Sequence, residues 1–421
     1  MSFALSLSGL NGAARAIDVV GNNIANSQTV GFKTSKARFA DVLPASAAGG
    51  PAAAGGGVST AIINQQFTQG NLMASDNPLD MAITGLGFFR MNRGGEITYT
   101  RDGQFQLAYD ASSPDQRFLV NHAGSGVTGY LAEYTADPQG VIVTTSAPQN
   151  ISIDPVMPAA TTGTVSVGAT LDARVAPPSV APFAANNPLT YNNSTALSVY
   201  DSLGVAHDLR MYFSRSSPGN LWELRTTLDN GPQTGPVNLS FDTDGLMSTA
   251  MPLAAQTYAP SGGGSLSVAL DFTGSVQYGH TFSVDSMTQD GYREGALDSS
   301  SGFSVGADGV VRAFYSNGQS RQVAQIVLAN FVNPDALISL GGNQWVENPD
   351  PVRGTGKVLL DTPGRALGMG LGPLQGGAKE QSNVDLSTEL VSLIEQQRNY
   401  QASAQTFKIL DQVLQNLANM R

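Results

Sequence analysis

Two stretches at opposite ends of this 421-residue chain carry the same apolar spacing, and a fold must accommodate both. Near the N-terminus Phe3, Leu7, Leu10, Ala14, Ile17, Gly21 and Ile24 follow alternating steps of four and three, the seam of a coiled-coil helix. Near the C-terminus Leu386, Leu390, Leu393, Gln397, Tyr400, Ala404 and Phe407 repeat those steps, and Leu410, Leu414 and Leu417 continue after a phase slip. Asp385 stands where that helix needs an N-cap. Gly9, Gly12 and Gly21 each cost about 1 kcal/mol relative to alanine inside a helix. Ala14 and Gly21 also give the first seam little to bury. The N-terminal helix is therefore expected to need a partner, and the longer helix with the matching seam is the obvious one.

Between the ends the punctuation is that of β-structure. Alternating runs at residues 97–100, 196–200, 209–213, 266–272 and 323–328 are bounded by turn residues. Asn317-Gly318 is the strongest hairpin signal, read as a type I′ turn with positive φ at both central positions. Asp102-Gly103, Asn230-Gly231, Asp244-Gly245 and Asp308-Gly309 are weaker signals of the same kind. Residues 44–57, 174–188, 259–265 and 363–377 read as linkers or exposed loops, being rich in Gly, Ala and Pro. The expected fold class is α+β, mainly β: terminal helices forming a coiled coil, with nested barrel-like or sandwich-like β-domains in the middle.

Composition narrows the chemistry. A net charge of -11 repels phosphate backbones, so nucleic acid is not an expected partner. Charged residues are only 13% of the chain, against roughly 25% in soluble domains, which favours self-association. With no cysteine there is no disulfide, thiolate nucleophile or Cys-ligated zinc. His122, His207 and His280 stand far apart, and each reads as a surface or hydrogen-bonded side chain. The first basic residue is Arg15 and no apolar run approaches about 18 residues, so neither a cleaved secretion signal nor membrane insertion is expected.

No catalytic or cofactor motif survives inspection. Gly124-Ser-Gly126-Val-Thr-Gly129 has dinucleotide-binding spacing but is followed by strand-like Tyr130-Leu-Ala-Glu-Tyr134 rather than a helix, so it reads as a tight turn. Gly368 to Pro373 lacks the Lys and Ser/Thr of a phosphate loop. Asp242-Thr-Asp244-Gly245 lacks the remaining ligands of a calcium loop and reads as a β-turn. No serine sits in a G-x-S-x-G elbow. Catalytic residues, cofactors and metals are all expected to be none. Trp222 and Trp345 could line a sugar-binding face, but core packing is the simpler reading for both.

Ala25-Asn26-Ser27-Gln28-Thr29-Val30-Gly31-Phe32-Lys33 resembles the A-N-x-x-T-x-G-F-K signature of the bacterial flagellar rod and hook axial proteins. Asn26 and Thr29 can end a helix through side-chain to backbone hydrogen bonds, Gly31 permits a sharp turn, and Phe32 anchors the departing chain. Residues 77–90 and Tyr99-Thr-Arg-Asp-Gly-Gln-Phe105 are similar to the first β-domain of that family. Val199-Tyr-Asp-Ser-Leu-Gly204 resembles its outer domain, and Thr288-Gln-Asp-Gly-Tyr292 the return from it. Ser382-Asn-Val-Asp-Leu386 and Gln397-Arg-Asn-Tyr-Gln401 resemble the start and middle of its C-terminal helix.

The resemblance implies a structural subunit of the flagellar hook, a curved tubular polymer acting as a universal joint between rod and filament. It also implies that Phe3, Leu7, Leu10, Ile17 and Ile24 meet Leu386, Leu390, Leu393, Tyr400, Phe407, Leu414 and Leu417 within and between copies, forming an inner tube. The implied domains are 1–30 with 380–421 (helices), 31–75 with 355–379 (connector), 76–147 with 281–354 (inner β-domain) and 148–280 (outer β-domain). Implied partners are the chain itself, a rod protein, the hook cap protein, the hook-filament junction protein and the flagellar type III export apparatus. The implied location is the extracellular hook of the flagellar basal body. Two alternatives stand beside this: a distal rod protein, against which residues 149–280 argue, and a secreted β-rich carbohydrate-binding protein or enzyme.

Overall fold

A computed structural model describes residues 3–41, 57–110, 113–134, 139–216, 219–260, 262, 265–298, 302–352, 354–364 and 371–419. The chain divides into two compact units. The first comprises Met1–Pro155, Ser299–Phe314 and Ser320–Arg421; the second comprises Val156–Asp298 and Tyr315–Gln319.

The first unit carries both long helices, α1 (Phe3–Ala25) and α2 (Leu386–Asn419). Its sheet interleaves early and late strands in the order Phe303–Val305, Val310–Phe314, Ser320–Ile326, Gly126–Glu133, Phe88–Arg93, Glu96–Thr100, Gln344–Val346, Ile338–Gly341. The chain therefore leaves this sheet for the second unit and returns to finish it. Phe88, Tyr99, Ala329, Phe331 and Trp345 form an aromatic core, with Tyr99 edge-on to Phe331 at 4.7 Å. A separate hairpin, Ser35–Asp41 with Val58–Gln65, follows α1. Among the described residues no helix is long and apolar enough to cross a membrane.

The second unit is two sheets closed on one core. Asn193–Tyr200, Ala206–Ser216, Leu221–Leu228 and Gln233–Ser240 form an antiparallel meander. The facing sheet is built around Thr164–Asp172, whose alternate residues Val165, Val167, Ala169 and Leu171 point inward as a two-residue period demands. Trp222, Phe213, Leu266 and Phe272 fill the space between the sheets.

Runs 97–100, 196–200 and 209–213 lie within strands, run 266–272 overruns its strand by Phe272, and run 323–328 spans the end of Ser320–Ile326 and the start of Leu328–Phe331. Trp222 and Trp345 are both core residues, 0% and 1% exposed. The residue 124–129 glycines make a turn and then a strand, and residues 242–245 a β-turn closed by Gly245 N–H donating to Asp242 O.

Three expectations are corrected. At Asn317-Gly318 only Gly318 has positive φ (+80°). The hairpin closes with Gly318 N–H donating to Tyr315 O and Tyr315 N–H donating to Gln319 O, a type I turn followed by one left-handed residue. Asn317 is held instead by its side chain, which donates to Arg293 O at 2.8 Å. At Asn230-Gly231 the two consecutive left-handed residues are Asp229-Asn230 (φ 49° and 58°), one position before the pair singled out in sequence. The stretch 363–377 is not wholly a linker, because Leu374–Gly376 pairs with Met81–Ile83; just beyond it, Ala378–Glu380 pairs with Leu72–Ala74. Residues 44–56 and 365–370 lie outside the described residues.

Candidate functional site

α1 buries its small residues. Ser6, Gly12, Ala13, Ala16 and Asn23 are buried, whereas Leu5, Leu10, Ile17, Val20 and Ile24 are half-buried and Leu7 is exposed. Gly12 lies against Val58 and Phe39 of the hairpin, and a Cβ on Gly9 would sit 3.3 Å from Ser403 Oγ of α2. Gly9 and Gly12 thus let the helix backbone approach two neighbours, whereas Gly21 is exposed and nothing lies within 4 Å of where its Cβ would be.

α2 packs along α1, yet none of its described side chains is fully buried. Leu393, Ala404, Phe407 and Leu410 are half-buried, while Leu386, Leu390, Val391, Ile394, Tyr400, Ile409 and Val413 are exposed. Within one copy the seam is therefore covered unevenly along its length: Leu386, Leu390 and Tyr400 stay exposed, whereas Leu393, Ala404 and Phe407 on the same stripe are half-buried. The side chains of Phe3, Leu414 and Leu417 lie outside the described residues. Asp385 caps α2: its Oδ1 accepts from Ser387 N–H at 2.9 Å and its Oδ2 from Thr388 Oγ1 at 2.8 Å. The Thr388 hydroxyl, then the backbone donors, hold this carboxyl below the ordinary aspartate value.

The chain leaves α1 through the signature segment. Asn26 Nδ2 donates to Asn22 O at 2.9 Å, ending the helix as its residue type suggests. Thr29 does not bond backbone through its side chain; its hydroxyl donates to Asn26 Oδ1 at 3.2 Å and so fixes the capping side chain. Ser27 supplies a further bond, donating to Ile24 O. Gly31 has φ +71°, and a Cβ there would lie 2.5 Å from Asp102 N, so this position tolerates no side chain. Phe32 is buried. Asn23 then grips the departing strand, accepting from Ser35 N–H at 2.9 Å and donating to Ser35 O at 2.8 Å.

Beyond Phe32 lies a buried ionic joint. Lys33 Nζ is 2.7 Å from Glu380 Oε1 and donates to Thr68 O at 2.7 Å. Arg101 Nη1 is 3.2 Å from Glu380 Oε2, and its Nη2 donates to Gly85 O at 2.7 Å. Gly70 N–H donates to Glu380 Oε1, and Gly31 N–H to the Glu380 carbonyl, both at 2.8 Å. All three charged side chains are at most 1% exposed. Burial, reinforced by the charge of Arg101 and opposed by Glu380, pulls the Lys33 pKa below the ordinary lysine value; burial likewise lowers Arg101. Asn383 adds a neutral tie, accepting from Thr34 N–H at 2.7 Å and donating to Gln66 O at 2.8 Å.

The arrangement is mechanical. One carboxylate joins the segment after α1, the residue following Glu96–Thr100 and the segment before α2, so the end of α1 and the start of α2 are tied to a single fixed base. Ala25 is exposed at the end of α1. Lys33 and Arg101 stand within motifs quoted from the sequence, but Glu380 and Asn23 escaped it. Nothing in a linear pattern marks a lone Glu six residues before a helix; its one signal is a carboxylate next to the quoted Ser382-Asn383 pair.

Comparison with known proteins agrees along the whole chain. Residues 5–33 match the family described as flagella basal body rod protein, and residues 82–170 the flagellar hook protein FlgE/F/G D1 domain. Residues 170–292 match the flagellar basal body protein FlaE D2 domain, and residues 375–420 the flagellar basal body rod FlgEFG protein C-terminal family. The chain is 40% identical to the flagellar hook protein FlgE of Escherichia coli over 428 residues, and 38% identical to that of Salmonella typhimurium over 429, with 100% of each chain covered in both cases. A crystal structure of Helicobacter pylori flagellar hook protein FlgE2 matches with 15% identity and a TM-score of 0.49 over 73% of this chain and 99% of that one. The chain belongs to the flagellar hook protein FlgE family.

Proposed function

We propose that this chain is a structural, non-catalytic subunit of the bacterial flagellar hook, polymerising through its terminal helices into a curved tube that transmits torque as a universal joint. The observation that carries the reading is the uncovered apolar surface of α2, where Leu386, Leu390, Val391, Ile394, Ile409 and Val413, spread over about half of the helix circumference, stand about half exposed in a single copy. Covering the remaining half of each side chain gains about 1 kcal/mol. That gain, repeated on every copy, favours a polymer in which α2 of one subunit meets helices of its neighbours as a coiled-coil inner tube.

The domain plan read from the sequence, with residues 148–280 as its outer β-domain, belongs to the same proposal. So do its partners: a rod protein, a cap protein, a hook-filament junction protein and the type III export apparatus, with export requiring no cleaved signal. A chain without cysteine suits passage in extended form, since no disulfide has to open. A distal rod protein is the second reading, and the full-length similarity to hook proteins weighs against it.

Electron microscopy of purified chains tests the proposal. The parent is expected to form curved tubes, and Leu390→Asp to abolish them while the β-structure keeps its circular dichroism. Normal tubes from Leu390→Asp, or compact monomers from the parent at all concentrations, refute it.

A further inference from the structure

The turn Val199-Tyr-Asp-Ser-Leu-Gly204 has no part in the paired helices, yet it is built around an ionisable group. His207 is 5% exposed, and each of its ring nitrogens faces a carboxylate. Nδ1 lies 2.6 Å from Asp229 Oδ2, and Nε2 lies 3.4 Å from Asp201 Oδ2. A neutral imidazole has one N–H and one lone pair, so the lone pair would confront a carboxylate; only the imidazolium donates to both.

Each carboxylate also organises backbone. Asp201 Oδ1 accepts from Leu203 N–H at 2.9 Å and Val205 N–H at 2.8 Å, and Asp229 Oδ1 accepts from Asp208 N–H at 2.8 Å. Asp201 and Asp229 are the charged groups that face the ring. The exposed Asp208–Arg210 pair belongs to the opposite face of the same strand, as alternation from His207 requires.

We propose that His207 is a buried imidazolium clasp, tying the Asp201–Val205 turn to the Asp229 turn and making the order of the first turn depend on proton binding. That turn presents Leu203 and Val205 to solvent at 70% and 51% exposure, so the clasp governs how rigidly two apolar side chains are displayed.

The titrating group is the ring. Burial pushes it towards neutrality, but Asp229 and Asp201 outweigh burial and hold its pKa above the ordinary histidine value of 6.5. Burial raises both carboxylates, yet their backbone donors and His207 prevail and keep both below the ordinary 3.8. A raised folded value means that the clasp is complete below pH 6.5 and is lost as pH rises through the folded value.

The test uses the full chain with isotope-labelled histidine, reading the His207 ring by NMR and the Leu203 and Val205 amides by hydrogen exchange, expressed as protection factors. The expected result is a ring titrating above 6.5 and a fall in protection of about tenfold or more across that titration, the loss of one charge-assisted hydrogen bond. His207→Gln is expected to show protection that no longer changes with pH, with Trp222 fluorescence reporting an intact core. A parent ring titrating at or below 6.5, parent protection flat with pH, or the parent's pH dependence surviving in folded His207→Gln overturns the proposal.

Discussion

Glu380 is the single residue whose loss the joint at the base of the helices cannot absorb. Its carboxylate accepts from Lys33, Arg101 and Gly70 N–H, and neither cation has solvent to turn to. Glu380→Gln keeps the shape and removes the charge, leaving two buried cations facing an amide that brings its own donors. Breaking a buried pair from one side costs about 3–5 kcal/mol, because the partners stay buried and uncompensated. Lys33→Met is the opposite case: Glu380 keeps Arg101 and Gly70 N–H, the Thr68 carbonyl keeps Asn383 Nδ2 at 3.2 Å, and a desolvated ammonium is removed, so a loss of about 1–2 kcal/mol at most is expected, from the two Lys33 hydrogen bonds.

The assay follows from the placement of the two tryptophans, Trp345 in the core of the first unit and Trp222 in that of the second. In a Trp222→Phe background, urea unfolding followed by Trp345 fluorescence reports the first unit alone. With a slope of about 2 kcal/mol/M, Glu380→Gln is expected to lower the midpoint by about 2 M and Lys33→Met by under about 1 M. Equal shifts, or a larger one for Lys33→Met, refute the reasoning.

Other outcomes follow from the same geometry. Gly31→Ala forces a left-handed φ on a residue with a Cβ and drives that atom into the Asp102 backbone, costing about 2 kcal/mol or more in the same urea assay. Asp385, held below its ordinary value of 3.8, stabilises the first turn of α2 above that pH, and the contribution disappears as pH falls through the folded value. Hydrogen exchange at the Ser387 and Thr388 amides reads this directly, and Asp385→Ala is expected to show low protection at every pH.

The parts of the fold legible in the sequence are those with a period or a local rule. Asp385 is a cap because a short carboxylate before an apolar repeat has that use, and Leu266–Asp271 alternates because one sheet face is buried. The ionic joint was legible only in halves. Lys33 and Arg101 sit in recognisable segments, but their common anion comes from 347 and 279 residues away in sequence, a separation no local pattern bridges. The residue 317–318 hairpin shows a different limit: Asn-Gly marks the turn, but the hold of Arg293 O on the Asn317 side chain goes with a different turn type. The uneven cover of the α2 seam was hidden for another reason, since heptad spacing says which residues share a stripe on a helix and not which neighbour covers each part of it.

The central claim is that the exposed apolar surface of α2 is covered by other copies of the chain. Amide hydrogen exchange along Leu386–Asn419, compared between dilute single chains and assembled tubes, tests it most directly. The account predicts weak protection in single chains and a rise of at least about a hundredfold on assembly, as several half-exposed side chains leave water together. Strong protection already present in single chains, unchanged in the tubes, would contradict it.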